Sequence, residues 1–182
     1  MPLSSATGAL LVPLALLPIS PPDAPGPGGA PAGAAPDQVV DAPFDRGDGI
    51  VPARAVTHAP DLVPYGSQAR VTVHRAGGRT TVTVELTGAA GSHEFPAHVH
   101  TGYCGTDPAA SGPHYQQVAG SDAADNEVRM TLRTDAGGAG RASATVPWEF
   151  RSGEAHSLVL HAGPGAGAHA AADRVACVDV DF

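Results

Sequence analysis

Pro96–Tyr115 reads PAHVHTGYCGTDPAASGPHY and carries three of the chain's nine histidines together with Cys104. His98 and His100 are two residues apart, so on a strand both rings leave the same face while Ala97 and Val99 leave the other. A lone His-x-His is more often two solvated side chains than a metal site, because the motif is so short. Two further residues turn the balance. His114 follows the Gly/Pro/Asp-rich loop 102–113, which can fold back onto that face. His161 ends the run LVLH, in which Leu158 and Leu160 take the core parity and leave His161 outward. Four outward imidazoles form an N₄ donor set. Imidazole suits Cu, Zn, Fe and Ni; a tetragonal arrangement favours Cu(II), and a tetrahedral one suits zinc. The residues alone leave copper and zinc both open. His58, His74, His93, His156 and His169 read as non-ligands.

The elements that must position these groups read as strands. Residues 69–74 (ARVTVH) and 80–87 (TTVTVELT) alternate, with Val71 and Val73, then Val82, Val84 and Leu86, on one face. The Gly-Gly between them predicts a hairpin. Residues 126–134 alternate with Val128, Met130 and Leu132 inward, and DAGGAG at 135–140 is a second turn. Residues 141–150 place Ala142, Ala144, Val146, Trp148 and Phe150 together, with Pro147 marking an edge or bulge. Strands at 156–161 and 174–182 follow. No window carries a capped 3.6-residue period, so the fold class is all-β, a sandwich or barrel.

The chain divides by composition. Residues 1–20 hold an apolar run, GALLVPLALLPI, of export-signal length without a basic leader, and too short to span a bilayer. Residues 21–37 are Pro/Ala/Gly-rich and read as a disordered tether. Residues 38–64 form a lead-in in which part is expected to be a first edge strand. The β-domain is expected over 65–182, a suitable length for one core. Net charge is −8 and every basic residue is arginine, none of them clustered, which argues against nucleic acid and anionic membranes as partners. Cys104 and Cys177 fit either one disulfide in an oxidising compartment or two buried thiols.

From about Ala69 to Phe182 the chain resembles the copper/zinc superoxide dismutase family. The resemblance rests on His-Val-His at 98–100 followed by Gly102 and Cys104, Gly-Pro-His-Tyr at 112–115, the strand ending in His161, and Arg-Val-Ala-Cys at 174–177, all in the family's order. It implies a Greek-key β-barrel of eight strands with a metal site on its outer wall. It also implies His98, His100, His114 and His161 as copper ligands, a Cys104–Cys177 disulfide, and Arg174 as the active-site arginine. Two departures narrow it. The family's zinc site needs two more histidines and an aspartate soon after the bridging histidine, and residues 115–150 contain no histidine. The segment before Arg174, GPGAGAHAAAD, has one acid and no lysine, so the family's charged electrostatic loop is missing. The resemblance is therefore to a copper-only branch, with one copper per chain and no zinc.

Dismutation of superoxide to O₂ and H₂O₂ requires a metal that changes oxidation state by one electron, which zinc does not. Arg174 is expected to supply a fixed positive charge beside the anion. His114 is expected to take part in catalysis, its second nitrogen lacking a fixed partner once zinc is absent. The implied setting is secreted or extracytoplasmic. The competing reading is a non-catalytic extracytoplasmic copper-binding barrel, against which Arg174 argues, because metal storage needs no anion guide.

Overall fold

In a computed structural model, residue 1 and residues 38–163 and 173–182 are described. Everything below belongs to the unit Ala34–Phe182. The apolar segment and the Pro-rich segment anticipated over 1–37 lie outside the described residues, apart from Met1.

Nine strands form one sheet: β1 Gln38–Asp45, β2 Ala55–Thr57, β3 Gln68–Ala76, β4 Arg79–Thr87, β5 Glu94–His100, β6 Arg129–Arg133, β7 Gly140–Val146, β8 Ser157–His161 and β9 Arg174–Asp179. Their order is β6-β5-β8-β9-β2-β1-β3-β4-β7. Between β6 and β7, at the two ends of that order, Thr134 bridges Gly140, so the sheet curls into a nearly closed barrel. The chain crosses from one half of the barrel to the other between β4 and β5 and again between β7 and β8. The expectation of an all-β barrel holds.

Alternation builds the core. Val71 and Val73 of β3, Val82, Val84 and Leu86 of β4, and Met130 and Leu132 of β6 are all buried in it, as their period predicts. The β3–β4 hairpin closes over Gly77 and Gly78, both with positive φ, in the two-residue turn that matches strand twist. The strand expected over 141–150 ends at Val146 instead. Pro147 offers no N–H to a ladder, and Trp148 and Phe150 pack on the core from beyond the strand end.

The lead-in does more than supply an edge. β1 lies between β2 and β3 and sends Val40, Ala42 and Phe44 into the core, and β2 runs parallel to β1 and antiparallel to β9. The barrel thus has nine strands where the resemblance implied eight. The short β2 is wedged between β1 and β9. Among the described residues no helix is long and apolar enough to cross a membrane.

Candidate metal centre

β5, β8 and β9 are neighbours in the sheet, and the register sets His98 and His100 near the end of β5 that faces β8. Phe95, Ala97 and Val99 occupy the core, which forces His98 and His100 outward. The loop after β5 then returns. Thr101 N–H donates to Pro113 O at 3.0 Å and Tyr115 N–H to Val99 O at 2.8 Å, bringing His114 opposite His100. Two glycines make this return possible. A Cβ on Gly102 would collide with the carbonyl of Ala110, and Gly112 has φ +68° with Thr101 Oγ1 2.7 Å from where a Cβ would sit. The loop is pinned to β9 by the disulfide Cys104–Cys177 and by Cys104 N–H donating to Asp179 Oδ1 at 2.7 Å.

The four histidines meet. Ring centroids lie 4.1 Å apart for His98–His114, 4.7 Å for His100–His114, 5.1 Å for His98–His161 and 5.4 Å for His100–His161. His98, His114 and His161 each offer a nitrogen within 4.8 Å of the others, a group that could hold a metal ion. His100 joins through Nε2, which is 3.3 Å from Nε2 of His161. The donor chemistry fits a metal. His98 Nδ1 is buried with no hydrogen-bond partner, a costly state for a polar atom that ligation would relieve. His100 Nδ1 lies 3.0 Å from Gly112 O, an acceptor, so its proton sits on Nδ1 and the lone pair on Nε2. Burial, with the neighbouring imidazoles, lowers the His98 pKa to about 3; burial does the same for His100, also to about 3. Both rings are therefore neutral and ready to ligate at pH 7.

The second nitrogen of His114 does have a fixed partner, which corrects the sequence expectation. Glu127 Oε2 is 3.1 Å from His114 Nδ1, and the two side chains are only 5% and 6% exposed. Gln116 Nε2 donates to Oε1 of the same carboxylate at 2.9 Å and Arg129 Nε to Oε2 at 3.1 Å. Burial pushes the Glu127 carboxyl up, but donation from Gln116, His114 and Arg129 outweighs it and holds the pKa at about 2. An ionised Glu127 keeps the His114 proton on Nδ1 and turns Nε2 toward the other rings. Sequence reasoning missed this residue. Its parity, two positions before Arg129, which pairs with His98, puts it on the histidine face, but only the β5–β6 register reveals that.

Arg174 lies opposite His161 at a register shift between β8 and β9. Its Nη1 donates to Pro108 O at 2.9 Å and Ser111 Oγ at 3.0 Å, both in the 3₁₀ turn Pro108–Ser111 of the returning loop. The residue is 7% exposed and its Nε is buried without a partner. A cleft of about 780 Å³ opens beside His114, with Glu127, Arg129, Arg151 and Arg174 on its walls.

No protein-family model and no curated protein sequence matches the chain. Among solved structures, the copper/zinc superoxide dismutase from Brucella abortus is similar over 80% of this chain and 100% of its own, at 17% identity and a TM-score of 0.50. A double mutant of a superoxide dismutase-like protein from Bacillus subtilis aligns over 63% of this chain and 89% of its own, at 11% identity and a TM-score of 0.47. The barrel that carries the histidines is therefore shared with a copper/zinc superoxide dismutase.

Proposed function

We propose that the chain is a copper-dependent superoxide dismutase that works without zinc, outside the cytoplasm. The observation that carries this reading is the pairing of His114 with Glu127. The resemblance gives His114 a second metal to bridge, and here its Nδ1 faces a buried carboxylate, so the histidine is oriented without zinc. Bound through His98, His100, His114 and His161, copper would supply the one-electron oxidation and reduction that dismutation needs. The chain's own residues do the rest. Glu127 holds a proton at His114 Nδ1, and Arg174 places a fixed positive charge at the wall of the cleft, near His100. Disulfides persist in oxidising compartments, so the Cys104–Cys177 bridge supports the extracytoplasmic setting.

One observation favours a second reading, a copper-binding barrel without turnover. Arg174 is tied to Pro108 and Ser111 and nearly buried, which leaves it a poor anion guide by itself. Loading the oxidised protein with copper and zinc together, measuring metal content and assaying superoxide loss separates the two. One copper, no zinc and turnover above that of free copper would support the dismutase. Bound copper with no turnover would leave the binding module.

A further inference from the structure

We propose that Arg129 is the residue that receives the incoming anion in the cleft beside His114. This rests on the copper reading above. Three guanidinium groups line the cleft, and their engagements differ. Arg151 is consumed by structure: it donates to Glu154 and to the carbonyls of Gln116 and Gln117, and it lies over the Tyr115 ring at 4.8 Å. Arg174 has Nη1 committed and Nε buried. Arg129 donates through Nε alone, to Glu127, and its side chain is 51% exposed. Among the described residues nothing accepts a hydrogen bond from its two terminal nitrogens. A planar guanidinium bound at Nε keeps a rigid pair of forward donors, the geometry that suits a small oxyanion.

Its position also fits. Arg129 pairs with His98 across β5 and β6, so the two side chains leave the same face of the barrel. The cleft thus carries a cation on each flank of His114, Arg129 from β6 and Arg174 from β9. The carboxylate that binds Arg129 is already shared with His114 and Gln116, which leaves the exposed end of the guanidinium as the part that meets solvent. The chain carries −8 and lacks the charged loop the resemblance implied, so an approaching anion is repelled at long range and needs a local cation with unused donors.

The test compares Arg129→Gln, Arg129→Lys and, as a control with the same charge change outside the cleft, Arg141→Gln of β7, whose guanidinium pairs with Glu85 of β4, all copper-loaded. Azide affinity is read from the Cu(II) absorption band, and kcat/KM for superoxide is followed from low to high salt. Arg129→Gln is expected to weaken azide about fivefold at low ionic strength and to slow the enzyme by a similar factor, with both deficits vanishing at high salt. Arg129→Lys should restore most of each, and Arg141→Gln should change neither. A loss that is the same at every salt concentration, or an unchanged azide affinity, would overturn the proposal. If the loaded protein shows no dismutation, that sinks the catalytic reading, and the azide titration still decides the role of Arg129. Failure to take up copper would overturn both.

Discussion

His114 Nδ1 stands 3.1 Å from Glu127 Oε2, with both side chains almost wholly withdrawn from water. A buried carboxylate on the far nitrogen of an imidazole does three things at once. It fixes the tautomer, fixes the ring plane and raises the basicity of the near nitrogen.

Replacing Glu127 by Ala should therefore be costly in two measurements. His114 Nδ1 loses its acceptor in a buried site, and the metal-free protein should lose about 2–3 kcal/mol of unfolding free energy in urea. Copper affinity, by competition with a chelator, should fall ten- to a hundredfold. Glu127→Gln, which can still accept from Nδ1, should lose less of both. Equal stability and affinity in all three proteins would show that the contact does not hold the site.

The metal-free protein should weaken in acid well before ordinary carboxylates titrate. His98 and His100 have pKa values near 3 folded, against 6.5 when unfolded, so the unfolded chain takes up protons first. Their contribution is complete above pH 6.5 and is lost as pH falls from there toward 3, at no more than about 1.4 kcal/mol per pH unit for each ring. Glu127 adds to the loss only below pH 4.5, as its folded value near 2 is approached. Urea midpoints should hold between pH 8 and about pH 7, then fall from about pH 6.5 to pH 5 in the native sequence and less in a His98→Gln, His100→Gln variant. Parallel profiles would reject the assignment.

Arg174→Ala should lower kcat/KM of the copper-loaded protein tenfold or more, equivalent to about 1.4 kcal/mol of transition-state stabilisation. Ser111→Ala removes one of the two acceptors that hold the guanidinium and should cost less. An Arg174→Ala enzyme at full speed would assign that residue to structure alone.

Opening the disulfide should lower stability while sparing the ligands. Cys104 and Cys177 are 73 positions apart, and a closed loop of that length contributes about 4 kcal/mol in the chain-entropy account. A Cys104→Ser, Cys177→Ser variant should show that loss in urea. It should still bind copper, because Ser157 Oγ continues to hold Gly102 O at 2.7 Å and the ladder at Val99 and Tyr115 continues to place His114. Loss of copper binding at temperatures where the barrel stays folded would show that the bridge positions the ligands.

The parts of this fold legible in the sequence were those with a clean period. Val82, Val84 and Leu86 announce their strand because the polar Thr81, Thr83, Glu85 and Thr87 alternate with them, and the outward parity of His98, His100 and His161 follows from the apolar residues beside them. The lead-in hid its strands for a physical reason. In β1 the adjacent pair Val39–Val40 blurs the alternation, and Ala42 is an ambiguous core residue; β2 is three residues long, too short for any period. Glu127 was hidden differently. It precedes its strand, and its partners Gln116 and His114 come from the returning loop, so only long-range register could bring the three together. The four histidines and both cysteines stood out by type, but Arg129 looked like any other charged residue on the outward face of a strand.

Arg174 is on the histidine face because of a counting irregularity. Leu160 faces Ala176, but the next residue, His161, faces Arg174, so β9 carries one residue more than β8 at that point. Strict alternation from Ala176 would send Arg174 inward with the core; the supernumerary residue reverses its side. The supernumerary residue is Val175, which is buried in the core and whose carbonyl accepts from the N–H groups of His58 and Ala59. Its own packing therefore holds the irregularity in place, and across relatives an apolar residue is expected at this position, because a polar one would loosen the strand end that carries the cation.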